Sequence, residues 1–165
     1  MTGRSIEARL QELCDKQELL ELNLRYCRAV DRCDLPLLLS CFHPDAVDDH
    51  GTFRGSPADV FPAILEKMRG MPPAQHILDN ALFTVEGDVA WGELYMSVRT
   101  ADADASSPPD SFGRNLDRYE RRNAEWRIAE RRVIIERFFP DREVDASRFL
   151  AGRKDRLDPS YLLRS

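Results

Sequence analysis

The sequence lacks most of the features that announce a specialised class. No apolar run approaches the ~18 residues of a membrane span. The opening Met1-Thr2-Gly3-Arg4-Ser5 carries no apolar signal core. The expectation is a cytoplasmic protein with no membrane partner. There are only four cysteines, Cys14, Cys27, Cys33 and Cys41, with no C-x-x-C pair among them. No histidine stands at zinc-finger spacing from them, so buried, reduced thiols are expected. No Gly-x-Gly-x-x-Gly, no P-loop and no Gly-x-Ser-x-Gly elbow occurs. Nucleotide binding and serine hydrolysis therefore have no support, and no cofactor is expected.

What is present is ordinary for a globular chain. The 165 residues are 42% hydrophobic and 32% charged, which argues against disorder and fits one domain. The net charge of −5 conceals an asymmetry. Residues 1–110 hold 10 basic and 19 acidic side chains, a balance of −9, and residues 111–165 hold 14 and 10, a balance of +4. The basic excess is interleaved with acids and forms no concentrated patch, so nucleic acid is not an expected partner.

The chain changes periodicity once. Ile6, Leu10, Leu13, Gln17, Leu20, Leu24 and Cys27 step by fours and threes, an apolar helical stripe that continues onto Asp31. Asp34 and Pro36 open a second helix ending near Cys41, and a strand is expected over Ala46 to Phe53. Ser56-Pro57-Ala58-Asp59 opens a third helix that stops at Gly70. After Pro73 the pattern turns strand-like: His76 to Glu86, Val89 to Thr100, Phe112 to Arg122 and Trp126 to Phe138. Glu86-Gly87-Asp88 and Asn123-Ala124 are the turns, and Ala101 to Asp110 is a polar loop. Helices first and strands after is an α+β order. The expected domain is 1–140. Residues 141–165 are expected to be a polar tail that could hold a short helix around Ala146 to Ala151.

Two residues stand out chemically. Asp31 sits where the stripe would bury it, and a buried carboxylate needs a partner. His76 opens the first long strand. If they meet, the carboxylate can hold the imidazole in one tautomer for general-base work. The alternative is an aspartate that ends a helix and a histidine that merely opens a strand. Asp48 and His50 could share a strand face as metal ligands, but two ligands make no site, so no metal is expected. His50 could instead line a pocket mouth, against the plainer reading, which the residues favour, of a solvated strand. His43 is read as structural, in a connection before Pro44. Phe53, Phe61, Phe83, Trp91, Tyr95, Phe112, Phe138 and Phe139 are read as core or pocket wall.

Arg25-Tyr26-Cys27-Arg28-Ala29-Val30-Asp31, with Asp34, Leu37 and Phe42-His43-Pro44-Asp45-Ala46, resembles the opening of the SnoaL-like branch of the NTF2-like superfamily. The run Tyr119-Glu120-Arg121-Arg122, followed by Trp126-Arg127-Ile128, resembles its later strands. The resemblance covers roughly residues 5–139 and extends to scytalone dehydratase, hexachlorocyclohexane dehydrochlorinase and bile-acid 7α-dehydratase. It implies a cone of three N-terminal helices packed on a curved, mostly antiparallel sheet that encloses a pocket. It also implies a cofactor-free lyase or isomerase, eliminating water from a hydrophobic, polycyclic or aromatic small molecule. Asp31 and His76 fall at the places of that family's Asp–His pair. Tyr26 and Arg131 match further catalytic positions, and Asn80 matches a pocket-side polar one. A homodimer or homotrimer would form through the outer sheet face, where Trp91 and Tyr95 lie with Glu93 and Arg99. The family also includes non-catalytic small subunits like that of ring-hydroxylating dioxygenases, which pair with a large iron-carrying chain, and plain ligand-binding modules.

Overall fold

A computed structural model describes residues 4–101, 111–138, 153 and 155–162. The elements are α1 (Ile6–Asp31), α2 (Leu35–Ser40), β1 (Phe42–Asp49), β2 (Arg54–Gly55), α3 (Pro57–Arg69), β3 (Ala74–Glu86), β4 (Val89–Thr100), β5 (Ser111–Arg122) and β6 (Glu125–Phe138). A 3-10 turn follows at Pro159–Leu162. The expected helix near 146–151 and the expected loop beyond Ala101 lie outside the described residues.

The helix starts are capped as their sequences require. The Ser5, Asp34 and Ser56 side chains accept from the backbone N–H groups of Ala8, Leu37 and Asp59. Proline opens α3 and lies in the first turn of α2, where its missing N–H costs nothing. The six strands lie in the order β2-β1-β6-β5-β4-β3. All neighbours are antiparallel except β1 and β6, which run parallel. The sheet is thus mixed and open, with α1 packed against β3 and β6. This is the expected α+β arrangement.

Two expectations about local structure are corrected. The strand expected at Ala46 to Phe53 runs instead from Phe42 to Asp49, directly after α2. His43 is therefore on a strand, buried, with Nε2 2.9 Å from the carbonyl of Glu120. The second correction concerns α1. Ile6, Leu10, Leu13 and Leu24 are exposed, while Leu19, Leu22, Asn23, Tyr26, Cys27 and Val30 are buried. The face that meets the sheet includes Asp15 and Asn23, so hydropathy alone points to the wrong side of the helix. Their polar groups are paired inside, which removes the penalty that would otherwise exclude them.

The core brings Tyr26, Phe42 and Phe61 into mutual ring contact, and Phe83 packs edge-on to Tyr119. Of the aromatics expected in the core, Phe61 and Phe83 are there. Phe112 lines the cavity described below, and Phe53 and Tyr95 are exposed. Among the described residues no helix is long and apolar enough to cross a membrane.

The far side of the sheet carries a second cluster. Arg114 is buried there and donates to Glu93, Glu136 and both carboxylate oxygens of Asp158. Asp158 in turn accepts from the backbone N–H groups of Arg153 and Ser160. One carboxylate thus pins the C-terminal segment to the sheet. Arg114 holds the Asp158 carboxyl well below the usual carboxylate range, and burial opposes this only in part. A depressed folded-state pKa gives stability that is present above the ordinary value of ~3.9 and lost as pH falls through and below it. The amide protection of Ser160 should accordingly be high near neutrality and fall in strong acid. Asp158→Asn should abolish it at neutral pH. Equal protection factors in the two proteins, measured by hydrogen exchange, would contradict this.

Candidate active site

Asp31 is the last residue of α1, where the partial negative end of the helix disfavours a carboxylate. Its placement therefore needs compensation from outside the helix. His76, near the start of β3, supplies it twice. The His76 backbone N–H donates to Asp31 Oδ1 at 2.9 Å, and ring Nδ1 donates to the same oxygen at 2.7 Å. The two bonds fix backbone and ring together. Because Nδ1 carries the donated proton, Nε2 is the atom able to accept one. The Asp31 and His76 side chains are 12% and 20% exposed, so the pair is sheltered without being sealed.

His76 lines a cavity of ≈ 190 Å³. Met96, Val98, Phe112, Val133 and Ile135 give it apolar walls. Tyr26, His50 and Asn115 add polar groups. These residues come from α1, the turn that follows β1, and strands β3 to β6. His50 and His76 belong to opposite ends of the strand order, so the sheet must curve to bring both to one cavity. Burial pushes the Tyr26 phenol well above its ordinary value, and Arg131 offsets this only partly. Tyr26 is therefore a proton-bearing donor at neutral pH rather than a base.

Asn80 does not join this group. Leu78 pairs with Met96 and Ala81 with Leu94, so Asp79 and Asn80 together face Tyr95 alone. This bulge reverses the facing of the strand, and Asn80 is exposed. Period-two reasoning from His76 puts it inside only if the strand is regular.

Arg131 is fully buried but is not part of the cavity lining. Its Nε donates to Asp117 Oδ1 at 2.8 Å, and its Nη2 donates to Asp117 Oδ2 at 2.5 Å and to Asn23 Oδ1 at 2.7 Å. Tyr119 donates to Asp117 at 2.6 Å and accepts from Asn23 at 2.8 Å. The guanidinium lies 4.1 Å from the centre of the Tyr26 ring. Arg131 is thus committed to Asp117 behind the wall. It supports Tyr26 and does not meet a ligand directly. Arg132, its neighbour, is exposed. Asn23, Asp117 and Tyr119 were not foreseen. Helical spacing of Asn23 with Leu19 and Tyr26, and strand spacing of Asn115, Asp117 and Tyr119, is the signal that could have found them.

Asp48 and His50 are also brought together, Oδ1 to Nδ1. Asp48 is fully buried, and its Oδ2 has no hydrogen-bond partner. Among the described residues no group of three or more His, Cys, Asp or Glu could hold a metal ion.

The SnoaL-like domain model matches residues 11–132, and the chain belongs to the SnoaL-like family. Similar solved structures agree on the fold. An NTF2-like protein with a cystatin-like fold from Novosphingobium aromaticivorans is 22% identical, covers 87% of this chain and 94% of its own, and has a TM-score of 0.69. A putative scytalone dehydratase from the same organism is 15% identical over 76% of this chain and 87% of its own, TM-score 0.64. LinA is 19% identical over 82% and 95%, TM-score 0.65. At these identities the likeness is one of fold. No curated protein matches the chain.

The buried Arg131–Asp117 pair generates a stability prediction. Asp117→Asn strands a guanidinium with no compensating charge and should cost about 3–5 kcal/mol. The double variant Asp117→Leu with Arg131→Met removes both charges and should recover most of that loss. Urea denaturation at neutral pH checks it, and equal losses in single and double variants would contradict it.

Proposed function

We propose that the protein is a cofactor-free lyase or isomerase acting on a hydrophobic, ring-sized small molecule. His76 Nε2 takes a proton from carbon, Asp31 holds the ring and balances the imidazolium that forms, and Tyr26 donates a hydrogen bond to a substrate oxygen. One observation carries the reading: a carboxylate-anchored imidazole opens onto a largely apolar cavity. An aspartate that only ended a helix would not need both bonds to His76. A non-catalytic subunit or a plain binding module gives no reason to hold that imidazole in one orientation at the cavity surface.

Imidazole is a weak base, so the carbon acid must be activated, as beside a carbonyl. Loss of water from a β-hydroxy carbonyl compound is the reaction we favour; a proton shift along the same skeleton uses the same groups. Arg131 enters as a positioning residue under Tyr26. The protein would be cytoplasmic and would work as a homodimer or homotrimer joined through the outer sheet face. Tyr95 is exposed there, beside the segment pinned by Asp158.

The test is a panel of cyclic β-hydroxy carbonyl compounds in heavy water, followed by NMR. Wild type should exchange the α-hydrogen or form the conjugated product. His76→Ala and Asp31→Asn should each slow this by about 10²-fold or more. The double variant should be little slower than the worse single one, because the two residues act as a unit. Turnover undiminished in His76→Ala would refute the assignment.

A further inference from the structure

A second aspartate–histidine pair faces the cavity that His76 lines. His50 follows β1 in a tight turn: its N–H donates to the carbonyl of Phe53, and Gly51 takes φ 69. Phe53 and Phe61 pack against its ring at 5.8 and 6.1 Å between centroids. Ring Nδ1 is committed to Asp48 Oδ1, and the side chain remains 24% exposed on the cavity lining. The construction repeats that of His76: a sheltered carboxylate on Nδ1 and Nε2 left as the outer nitrogen.

The carboxylate beneath it is costly. Asp48 is completely buried, and Oδ2 lacks a partner. Its register neighbour on β6 is Arg131, whose Nη1 is likewise buried and unpartnered. A folded chain normally satisfies such groups, and leaving one unmet is destabilising. An aspartate used only to tie down a surface turn has no need to be at 0% exposure. An aspartate that holds an imidazole in one orientation does.

We propose that Asp48–His50 is a second acid–base pair, and that the substrate binds with an oxygen at His50 and its acidic carbon at His76. This rests on the proposed function above and divides its chemistry between two imidazoles. In elimination, His76 Nε2 takes the α-proton and the C–H pair becomes the new double bond. The β C–O bond breaks, and its oxygen takes a proton from protonated His50 Nε2 and leaves as water. His50 ends neutral and His76 ends protonated, so proton exchange with solvent resets both. His50 is the residue that meets the substrate, and Asp48 is a positioning residue behind it.

The probe is 4-nitrophenol, a ring-sized oxygen acid whose absorbance reports its ionisation. Wild-type protein should bind it with a shifted absorbance, and the ring ¹⁵N signals of His50 and His76 should both move on titration. His50→Gln should weaken binding about tenfold or more. Asp48→Asn tests the positioning role through a readout that simple loss of stability would not produce. Read on the neutral ring, in alkaline buffer, His50 should change from one tautomer to a mixture while the His76 signals stay in place. If Asp48→Asn fails to fold, His50→Gln and the wild-type titration still decide the matter. Loss of binding in His76→Gln with none in His50→Gln, and no movement of the His50 signals, would overturn the second pair and leave the His76 reading standing. A wild type that does not bind the probe, or binds it equally in both variants, would overturn both.

Discussion

The fully buried pair Arg131–Asp117 is the constraint on which the rest of the molecule depends. It joins β5 to β6, and through Asn23 and Tyr119 it joins both strands to α1. A sheet whose inner face was wholly apolar could hold the helix at several angles. Four polar side chains with fixed donor and acceptor directions admit far fewer. The guanidinium also lies under the Tyr26 ring and so sets one wall of the cavity.

From that anchor the site follows by geometry. With Asn23 and Tyr26 held, the last turn of α1 delivers Asp31 to the start of β3. The curved sheet then carries His76 and His50 from opposite ends of its strand order to one cavity. Charges are buried on both sides of the wall. Behind it, Arg131 and Asp117 neutralise each other. In front, Asp31 and Asp48 each hold an imidazole, a group able to change its charge during a reaction. The two layers have different chemistry because their partners differ, one permanently charged and the other titratable.

Much of the architecture was legible in the sequence because its signals are local. The capping serines and Asp34, Pro36 and Pro57, and the Gly87 turn each fix a boundary by backbone chemistry. The switch to period two after Pro73 marks the sheet. What was not legible depends on partners distant in the chain. The buried face of α1 is partly polar because Asn23 meets Tyr119 and Arg131, and Asp15 meets Arg121 and Trp126. A stripe of exposed leucines therefore looked like the core. Asn80 was misplaced by a bulge that leaves no mark in composition. Arg131 is buried and Arg132 exposed, a distinction the sequence leaves open because the carboxylate that engages Arg131 lies on a neighbouring strand. Asp31 was singled out for a stripe that is largely exposed, yet its contact with His76 is there, because a carboxylate at the end of a helix needs a donor for reasons independent of that stripe.

The central claim is that Asp31 holds His76 with Nδ1 protonated and Nε2 available to the cavity. Long-range ¹H–¹⁵N NMR of the neutral imidazole reads this directly. The account predicts a single Nδ1–H tautomer for His76 in the wild type, giving way to a mixture in Asp31→Asn. A mixture already present in the wild type and unchanged by that substitution would contradict it.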